Sequence, residues 1–196
     1  HELLHIRGVL SHASIMWNLT VDLSTFAQTA AQLRKTRQIS SSQKRDRLPT
    51  FDELERLTNY FVKKWHHSSY SYPMHLIMWF AIFSCRREAE ITRMQLNDYD
   101  EENLLWKIRD LKNPNGSKGN HKEFSVHDDC QQLIQLLLGE NVRNRMLKRG
   151  YDEKLFVPLS PKTIGSEFRN ACKLLGIDDL HFHDLRHEWC TRLAEK

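Results

Sequence analysis

The chain has 196 residues, and its 29 Lys and Arg against 25 Asp and Glu give a net charge of +4 with His neutral. Hydrophobic residues make up 40% of the chain and the mean hydropathy is −0.61, values that exclude a wholly disordered protein. The longest apolar run, residues 74–85, is interrupted by His75 and is too short to cross a bilayer, so we expect no membrane partner.

The four cysteines lie far apart, at Cys85, Cys130, Cys172 and Cys190, and no Cys-x-x-Cys pair occurs. This spacing favours reduced thiols in a cytosolic protein over a disulfide framework or a zinc module. The first residue is His1, and a helical apolar pattern begins at once. We therefore expect the chain to be a piece of a longer protein.

The first part of the chain predicts two helices, over residues 3–17 and 23–33, because apolar residues recur at helical spacing. Residues 32–49 then carry six basic residues and a single acid, Asp46, around three consecutive serines. That composition predicts a flexible basic linker and a domain boundary. Its basic residues are candidate DNA contacts: Arg34, Lys35, Arg37, Lys44, Arg45 and Arg47.

The second part predicts further helices and a small sheet. Thr50 and Glu53 form a capping-box pattern at a helix start, Pro73 opens a central apolar helix, and Ser160 with Pro161 opens a helix that ends at Gly176. The remaining predicted helices cover residues 87–96, 128–138 and 181–196. Predicted strands cover residues 104–109, 123–126 and 155–157 around turn residues 113–120. The expected fold class is α+β, mostly α-helical with a three-stranded antiparallel sheet.

Two groups of charged residues suggest chemistry. Arg87 and Glu90 are three residues apart at the end of the apolar helix and can pair on one helix face, either structurally or as part of a site. The predicted hairpin carries four lysines, and it is either a solvated hairpin or one that enters a nucleic-acid groove. These lysines are Lys107, Lys112, Lys118 and Lys122.

A third group is the sequence His181-Phe-His-Asp-Leu-Arg-His187. His183 and His187 are four apart, so a metal site built with His181 is one hypothesis, although the HExxH order is absent. His183 and Arg186 are three apart, and two neighbouring cations favour a bound anion such as a phosphodiester. An ordinary helix start with Asp184 as local counter-charge is the structural alternative.

These motifs resemble those of the tyrosine recombinases, or phage-type integrases. Arg87-Glu-Ala-Glu90-Ile is similar to the family's first arginine motif, Arg109-Asp-Leu-Lys112 to its hairpin lysine, and His183-Asp-Leu-Arg186-His to its second-arginine box. Their order and spacing match the family over roughly residues 48–196. The resemblance implies the end of a helical core-binding domain at 1–32, a basic linker at 33–48 and a catalytic domain at 49–196.

The resemblance also implies a mechanism without metal or other cofactor. A tyrosine attacks the DNA phosphate and forms a 3′-phosphotyrosine link, while Arg87 and Arg186 hold the non-bridging oxygens. His183 contacts the phosphate or moves a proton, Lys112 is the general acid, and Glu90 orients the other groups. Expected partners are double-stranded DNA and, in the full-length protein, three further copies in a tetramer on DNA. The expected location is the cytoplasm of a bacterium, at the nucleoid.

Three points stay open in the sequence. Arg86 competes with Arg87, which we prefer because Glu90 lies three residues after it, and Lys118 or Lys122 replaces Lys112 if the hairpin register differs. All the tyrosines precede the second-arginine box: Tyr60, Tyr70, Tyr72, Tyr99 and Tyr151. We therefore assign no nucleophile and expect the chain to bind DNA without cleaving it. A non-catalytic DNA-binding or regulatory module of the same fold is the alternative function.

Overall fold

The computed structural model describes residues 2–36, 38–39, 47–67, 69–111, 118–148 and 151–186. The chain divides into two compact units, His1–Arg45 and Asp46–Lys196. Within the described residues, no helix is both long enough and apolar enough to pass through a bilayer.

The first unit contains helices α1 (Glu2–Met16) and α2 (Leu23–Lys35), which pack against each other. Asp22 caps α2, because its carboxylate accepts hydrogen bonds from the backbone N–H groups of Ser24 and Thr25 at 2.9 and 3.1 Å. The hydroxyls of Ser24 and Thr25 also donate to this carboxylate, and these bonds together with the backbone ones hold the pKa of the Asp22 carboxyl well below its ordinary value. The two helices agree with the predicted ones to within two residues.

The second unit combines helices with one small sheet. Its helices are α3 (Phe51–Trp65), α4 (Met74–Ser84), α5 (Glu88–Ile91), α6 (Asp128–Leu138), α7 (Glu140–Leu147) and α8 (Pro161–Leu175). Its strands are β1 (Tyr99–Asp100), β2 (Leu105–Ile108) and β3 (Lys122–Ser125). Short 3-10 turns occur at Leu96–Asp98 and Phe182–Asp184. This mostly helical fold with a three-stranded antiparallel sheet confirms the predicted fold class.

Helix α4 lies at the centre of this unit and packs against α3, α6 and α8. Its apolar side chains leave little polar surface, so it is buried on most sides, with Ile77, Met78 and Phe80 fully enclosed. Helix α3 begins as predicted, since Thr50 accepts from the N–H of Glu53 at 3.2 Å and Glu53 accepts from the N–H of Thr50 at 2.8 Å. The central core helix and the capping box are therefore confirmed.

The sheet has the order β1-β2-β3, and both pairs are antiparallel. The prediction of a third strand at residues 155–157 is wrong, because Leu155 makes only an isolated bridge with Gln95. The third strand is β1, which is two residues long. The predicted helix over 87–96 is also too long: α5 ends at Ile91, and the Leu96 N–H instead donates to the carbonyl of Lys154 at 2.9 Å.

Helix α8 begins at Pro161 after Ser160 and ends at Gly176, as predicted, although the Ser160 side chain makes no capping hydrogen bond. Glu167 on α8 accepts hydrogen bonds from Lys64 Nζ and from the Tyr70 hydroxyl, each at 2.6 Å. Burial and the Glu167 charge raise the pKa of Tyr70. This triad fixes α8 against α3 and the chain that follows it.

His75 provides a pH-dependent contribution to folding. Its Nδ1 atom is buried and has no hydrogen-bond partner within the described part of the chain. Burial, together with the neighbouring His66, lowers the pKa of His75 from 6.5 to about 4. The unfolded chain therefore binds a proton at this position at a higher pH than the folded chain does.

We expect the free energy of unfolding to fall as the pH drops from about 6.5 to about 4. His75→Phe should flatten this dependence, because a phenyl ring takes up no proton on unfolding. Urea unfolding at several pH values measures the effect, with the exposed His5→Phe as the control. An unchanged acid slope in His75→Phe would show that other groups cause the loss of stability.

Candidate functional site

The first candidate motif follows a sharp turn at the end of α4. Cys85 ends the helix with a left-handed backbone, φ 53°, which costs a non-glycine residue roughly 1–2 kcal/mol. The turn directs the chain out of the core, and Arg86 and Arg87 follow before α5 begins at Glu88. Arg87 takes the N-cap position of α5, and its extended backbone separates the two arginine side chains.

Arg87 and Glu90 form an ion pair at the start of α5. Arg87 Nη1 donates to Glu90 Oε1 at 2.8 Å, and the backbone N–H of Arg87 donates to Glu90 Oε2 at 3.3 Å. Glu90 is buried, with 5% of its side chain exposed, whereas Arg87 is 42% exposed. The carboxylate therefore holds one side of the guanidinium and leaves its other donors accessible to a ligand.

Arg86 points in a different direction from Arg87. Its Nε donates to the carbonyl of Ser84 at 2.8 Å, and its guanidinium carbon lies 5.0 Å from the centre of the Phe124 ring on β3. Its Nη1 is 4.0 Å from Glu90 Oε2, and only 22% of the side chain is exposed. Of the two arginines, Arg87 is thus the one more available to an anion.

The second-arginine box forms a 3-10 turn at Phe182–Asp184 followed by Leu185 and Arg186. Phe182, Asp184 and Leu185 are buried, His183 is exposed and Arg186 is half-buried. Asp184 Oδ2 accepts from the backbone N–H of His181 at 2.8 Å, which closes the turn. The inward residues anchor the box and leave His183 at the surface.

Helix α8 packs against both motifs, and Glu88 and His183 line one pocket, whereas Arg87 and Arg186 are not among its lining residues. Both α5 and the 3-10 turn of the box pack against α8, and the rings of Phe168 and Phe182 meet edge to face at 5.5 Å. A pocket of about 200 Å³ lies between these elements. Its walls are formed by Glu88, Gly165, Phe168, Arg169, Leu180, His181, Phe182 and His183.

Between the ends of β2 and β3, on the turn side of the hairpin, two backbone N–H groups donate hydrogen bonds across it. Leu111 N–H donates to the carbonyl of Asn120 at 2.8 Å, and Gly119 N–H donates to Asp110 Oδ1 at 2.8 Å. Lys118 and Lys122 are exposed on the returning side. Lys112 lies outside the described residues, so its assignment as general acid and the choice among the three lysines stay predictions.

The predicted DNA contacts of the linker are only partly described. Arg34 and Lys35 end α2, while Arg37, Lys44 and Arg45 lie outside the described residues. Arg47 pairs with Glu53, and this hydrogen bond raises the pKa of the Arg47 guanidinium. His187 and Cys190 are likewise outside, and in the part of the chain that is described no three His, Cys, Asp or Glu residues are grouped to hold a metal ion.

The sequence interpretation did not identify the pocket residues Glu88 and Arg169. Burial raises the pKa of the half-buried Glu88 carboxyl, and the positive charge of Arg169 opposes that shift. A Cβ atom at Gly165 would lie 3.4 Å from Glu88 Oε1, so the glycine leaves room for the carboxylate against α8. The sequence signal for Glu88 was its position directly after Arg87, but the spacing of charged residues did not indicate a partner for its carboxylate.

We expect Glu88→Gln to stabilise the fold at pH 7. The pKa of Glu88 in the folded chain lies above its ordinary value of 4.5. The free energy of unfolding therefore falls as the pH rises from the ordinary pKa through the folded pKa, and at pH 7 the loss is complete because the carboxyl is charged. The gain should be at most about 1 kcal/mol, because solvent screens the half-exposed carboxylate, and it should vanish below pH 4.

Urea unfolding of wild type and Glu88→Gln at pH 7 and pH 4 measures this difference, with the exposed Glu102→Gln as the matched control. A loss of stability at pH 7 in Glu88→Gln alone would show instead that the carboxylate holds a favourable charge partner.

Comparison with known proteins gives consistent matches. The model of the phage integrase family matches residues 48–196. A shufflon-specific DNA recombinase of Escherichia coli is 25% identical over 195 residues, covering 97% of this chain and 44% of the relative. The chain thus spans less than half the length of that relative.

Solved structures share the fold. The Tn1549 transposon integrase in complex with a circular intermediate DNA has a TM-score of 0.57 and 14% identity, over 98% of this chain and 73% of that one. A lambda integrase dimer bound to a core site has a TM-score of 0.57 and 19% identity, over 97% and 51%. The lambda integrase catalytic core has a TM-score of 0.52 and 21% identity, over 77% and 87%.

The family match covers the part of the chain that contains α5, the hairpin, α8 and the second-arginine box, and it agrees with the resemblance of their motifs. The chain therefore belongs to the phage integrase family, the tyrosine recombinases.

Proposed function

We propose that this chain supplies DNA binding and the phosphate site of a site-specific recombinase, which cleaves and rejoins DNA strands through a 3′-phosphotyrosine link. One observation carries the proposal: α8 packs against both α5 and the 3-10 turn of the second-arginine box, and Glu88 and His183 from these two motifs line one pocket. Residues almost a hundred positions apart in sequence are thereby gathered into one region of the second unit.

The proposed roles follow from the chemistry of each group. Arg87 keeps guanidinium donors accessible beside Glu90, and such a planar fork suits phosphate oxygens. Arg186 adds a second positive charge, so that both arginines offset the charge that grows on the phosphorane-like transition state. His183, exposed at the edge of the pocket, contacts the phosphate or moves a proton, while Glu90 keeps Arg87 in place.

A hairpin lysine completes the proposed set. Lys112 donates a proton to the leaving 5′-oxygen, and Lys118 or Lys122 takes that role if the hairpin presents them instead. Residues 1–32 belong to a core-binding domain, residues 33–48 form a linker whose arginines and lysines follow the DNA backbone, and residues 49–196 form the catalytic domain. The proposed mechanism uses no metal or other cofactor, and rejoining needs no ATP because the phosphotyrosine conserves the energy of the broken bond.

The proposed target is double-stranded DNA at a specific recombination site. Among the similar proteins, the Tn1549 and lambda integrases were solved on DNA, and lambda integrase forms a tetramer on a Holliday junction. By analogy, the full-length protein works as a homotetramer on DNA, at the nucleoid in the cytoplasm.

We expect the chain to bind duplex DNA with an affinity that falls steeply as salt rises. Arg87→Ala and Arg186→Ala should each weaken binding roughly tenfold, because a charged hydrogen bond to phosphate is lost. Each should also reduce the slope of log K against log salt by about one. Fluorescence anisotropy with a labelled duplex at several salt concentrations measures both quantities.

Arg56→Ala is the matched control for Arg87→Ala. Arg56 is 43% exposed and pairs with Asp52 on its own helix at 3.4 Å, much as Arg87 is 42% exposed and pairs with Glu90. Equal losses of DNA affinity in the two variants would show that Arg87 contributes only its positive charge and no specific contact with phosphate. If Arg87→Ala melts the fold while the folded fraction keeps its DNA affinity, then the Arg87–Glu90 pair is structural and the site is wrong.

We further expect no SDS-resistant protein–DNA complex when this chain is incubated with a nicked duplex. The reason is that none of its five tyrosines follows the second-arginine box. Gel electrophoresis after denaturation reads out the covalent link, with untreated binding reactions as the control for occupancy. A resistant complex would identify one of the five tyrosines as a nucleophile, and mapping the modified peptide would name it.

A further inference from the structure

Two arginines beside Arg87 reach from the α5 segment to the hairpin. Arg86 lies against Phe124 on β3, with its guanidinium carbon 5.0 Å from the ring centre. Arg93, just after α5, donates from Nη1 to the carbonyl of Asp110, in the connection that follows β2, at 3.4 Å. The segment that holds the Arg87–Glu90 pair therefore contacts β3 and the connection that follows β2.

Both residues of the Arg86–Phe124 contact are held in place by further contacts. Phe124 is paired in register with Trp106 on β2, and Trp106 is fully buried, with its indole N–H donating to the carbonyl of Gln95 at 3.0 Å. At the other end, Arg86 is fixed by its hydrogen bond to Ser84 and by Glu90, which lies 4.0 Å away. Arg86 therefore contacts both β3 and the carboxylate that holds Arg87.

The Glu90 carboxylate divides its two oxygens between the arginines. Oε1 accepts from Arg87 Nη1, and Oε2 faces both the Arg87 backbone N–H and Arg86 Nη1. Burial of a carboxylate is costly unless cations and hydrogen bonds compensate for it. Arg86 thus shares the neutralisation of Glu90 and frees part of the Arg87 guanidinium for another anion.

We propose that Arg86 is a positioning residue that sets strand β3, and with it Lys122, relative to the phosphate-binding Arg87. The inference rests on the proposed function for its DNA readout, but the coupling of Arg86 to the hairpin stands on its own contacts. Arg86 acts through the Phe124 ring and the Glu90 carboxylate. The ring attracts the guanidinium by its negative face, an interaction that a neutral side chain of the same length lacks.

The test compares Arg86→Met, Arg86→Lys and Phe124→Leu in the whole chain. Met keeps an unbranched, largely apolar stem but is shorter and removes the guanidinium charge, Lys keeps the charge, and Leu removes the ring. Amide hydrogen exchange followed by mass spectrometry reports the hairpin, residues 118–125, against α8 as an internal reference. Acetylation of Lys122, with and without a saturating DNA duplex, reports whether that lysine meets bound DNA.

In Arg86→Met we expect hairpin amides to exchange roughly three- to tenfold faster while those of α8 stay unchanged. DNA protection of Lys122 should be lost, although DNA affinity should fall no more than about threefold, since Arg86 does not touch the phosphate. Arg86→Lys should restore most of the protection. Phe124→Leu should reproduce the Met result, and the double variant should add little, because both changes break one contact.

Two outcomes would overturn the proposal. Unchanged hairpin exchange in both Arg86→Met and Phe124→Leu would mean that Arg86 does not hold the hairpin. A loss of DNA affinity in Arg86→Met as large as in Arg87→Ala would make Arg86 a phosphate ligand. Absence of DNA binding by the wild-type chain would instead refute the proposed function, and the exchange measurement would still decide whether Arg86 couples to the hairpin.

Discussion

The buried carboxylate of Glu90 is the constraint on which the candidate site depends. Transfer of an unpaired carboxylate from water into a protein costs several kcal/mol, of order the stability of a small domain. The fold compensates with the Arg87 guanidinium, the Arg87 backbone N–H and the nearby charge of Arg86. These contacts require that the chain turn at Cys85 and that α5 start directly after Arg87. The backbone conformation of residues 85–88 is therefore the one that compensates the charge of Glu90.

Helix α8 extends this constraint to the rest of the site. Its own position is fixed by Glu167, which accepts hydrogen bonds from Lys64 and Tyr70, and by the burial of Ile164, Phe168 and Ala171. The Phe182 ring packs edge to face against Phe168, and Gly165 leaves space for the Glu88 carboxylate. Because α5 and the second-arginine box both rest on α8, a shift of this helix would separate the two motifs.

The sequence predicts these supports better than it predicts the junctions between them. The Thr50–Glu53 capping box, the nearly all-apolar α4 and the Ser160-Pro161 start of α8 are local signals, and each gives a helix that begins within two residues of its predicted start. The end of α5 and strand β1 depend instead on distant partners. Leu96 bonds to Lys154 and Tyr99 pairs with Trp106, contacts that periodicity in a short window does not contain.

The adjacent arginines show the same limit within the site. From sequence, Arg86 and Arg87 differ only in their distance from Glu90; Arg87 is preferred because the acid lies three residues after it, although a spacing of four also allows a pair on one helix face. In the structure the difference is larger, because the extended backbone at the N-cap residue Arg87 directs the two side chains apart. Arg86 contacts Phe124, and Arg87 pairs with Glu90 on its exposed side. The two neighbouring arginines thus have different surroundings: Arg86 packs against the sheet, and Arg87 stays accessible to an anion. The sequence gives no sign of this difference near the arginines, because the aromatic partner of Arg86, Phe124, lies almost forty residues later on a strand.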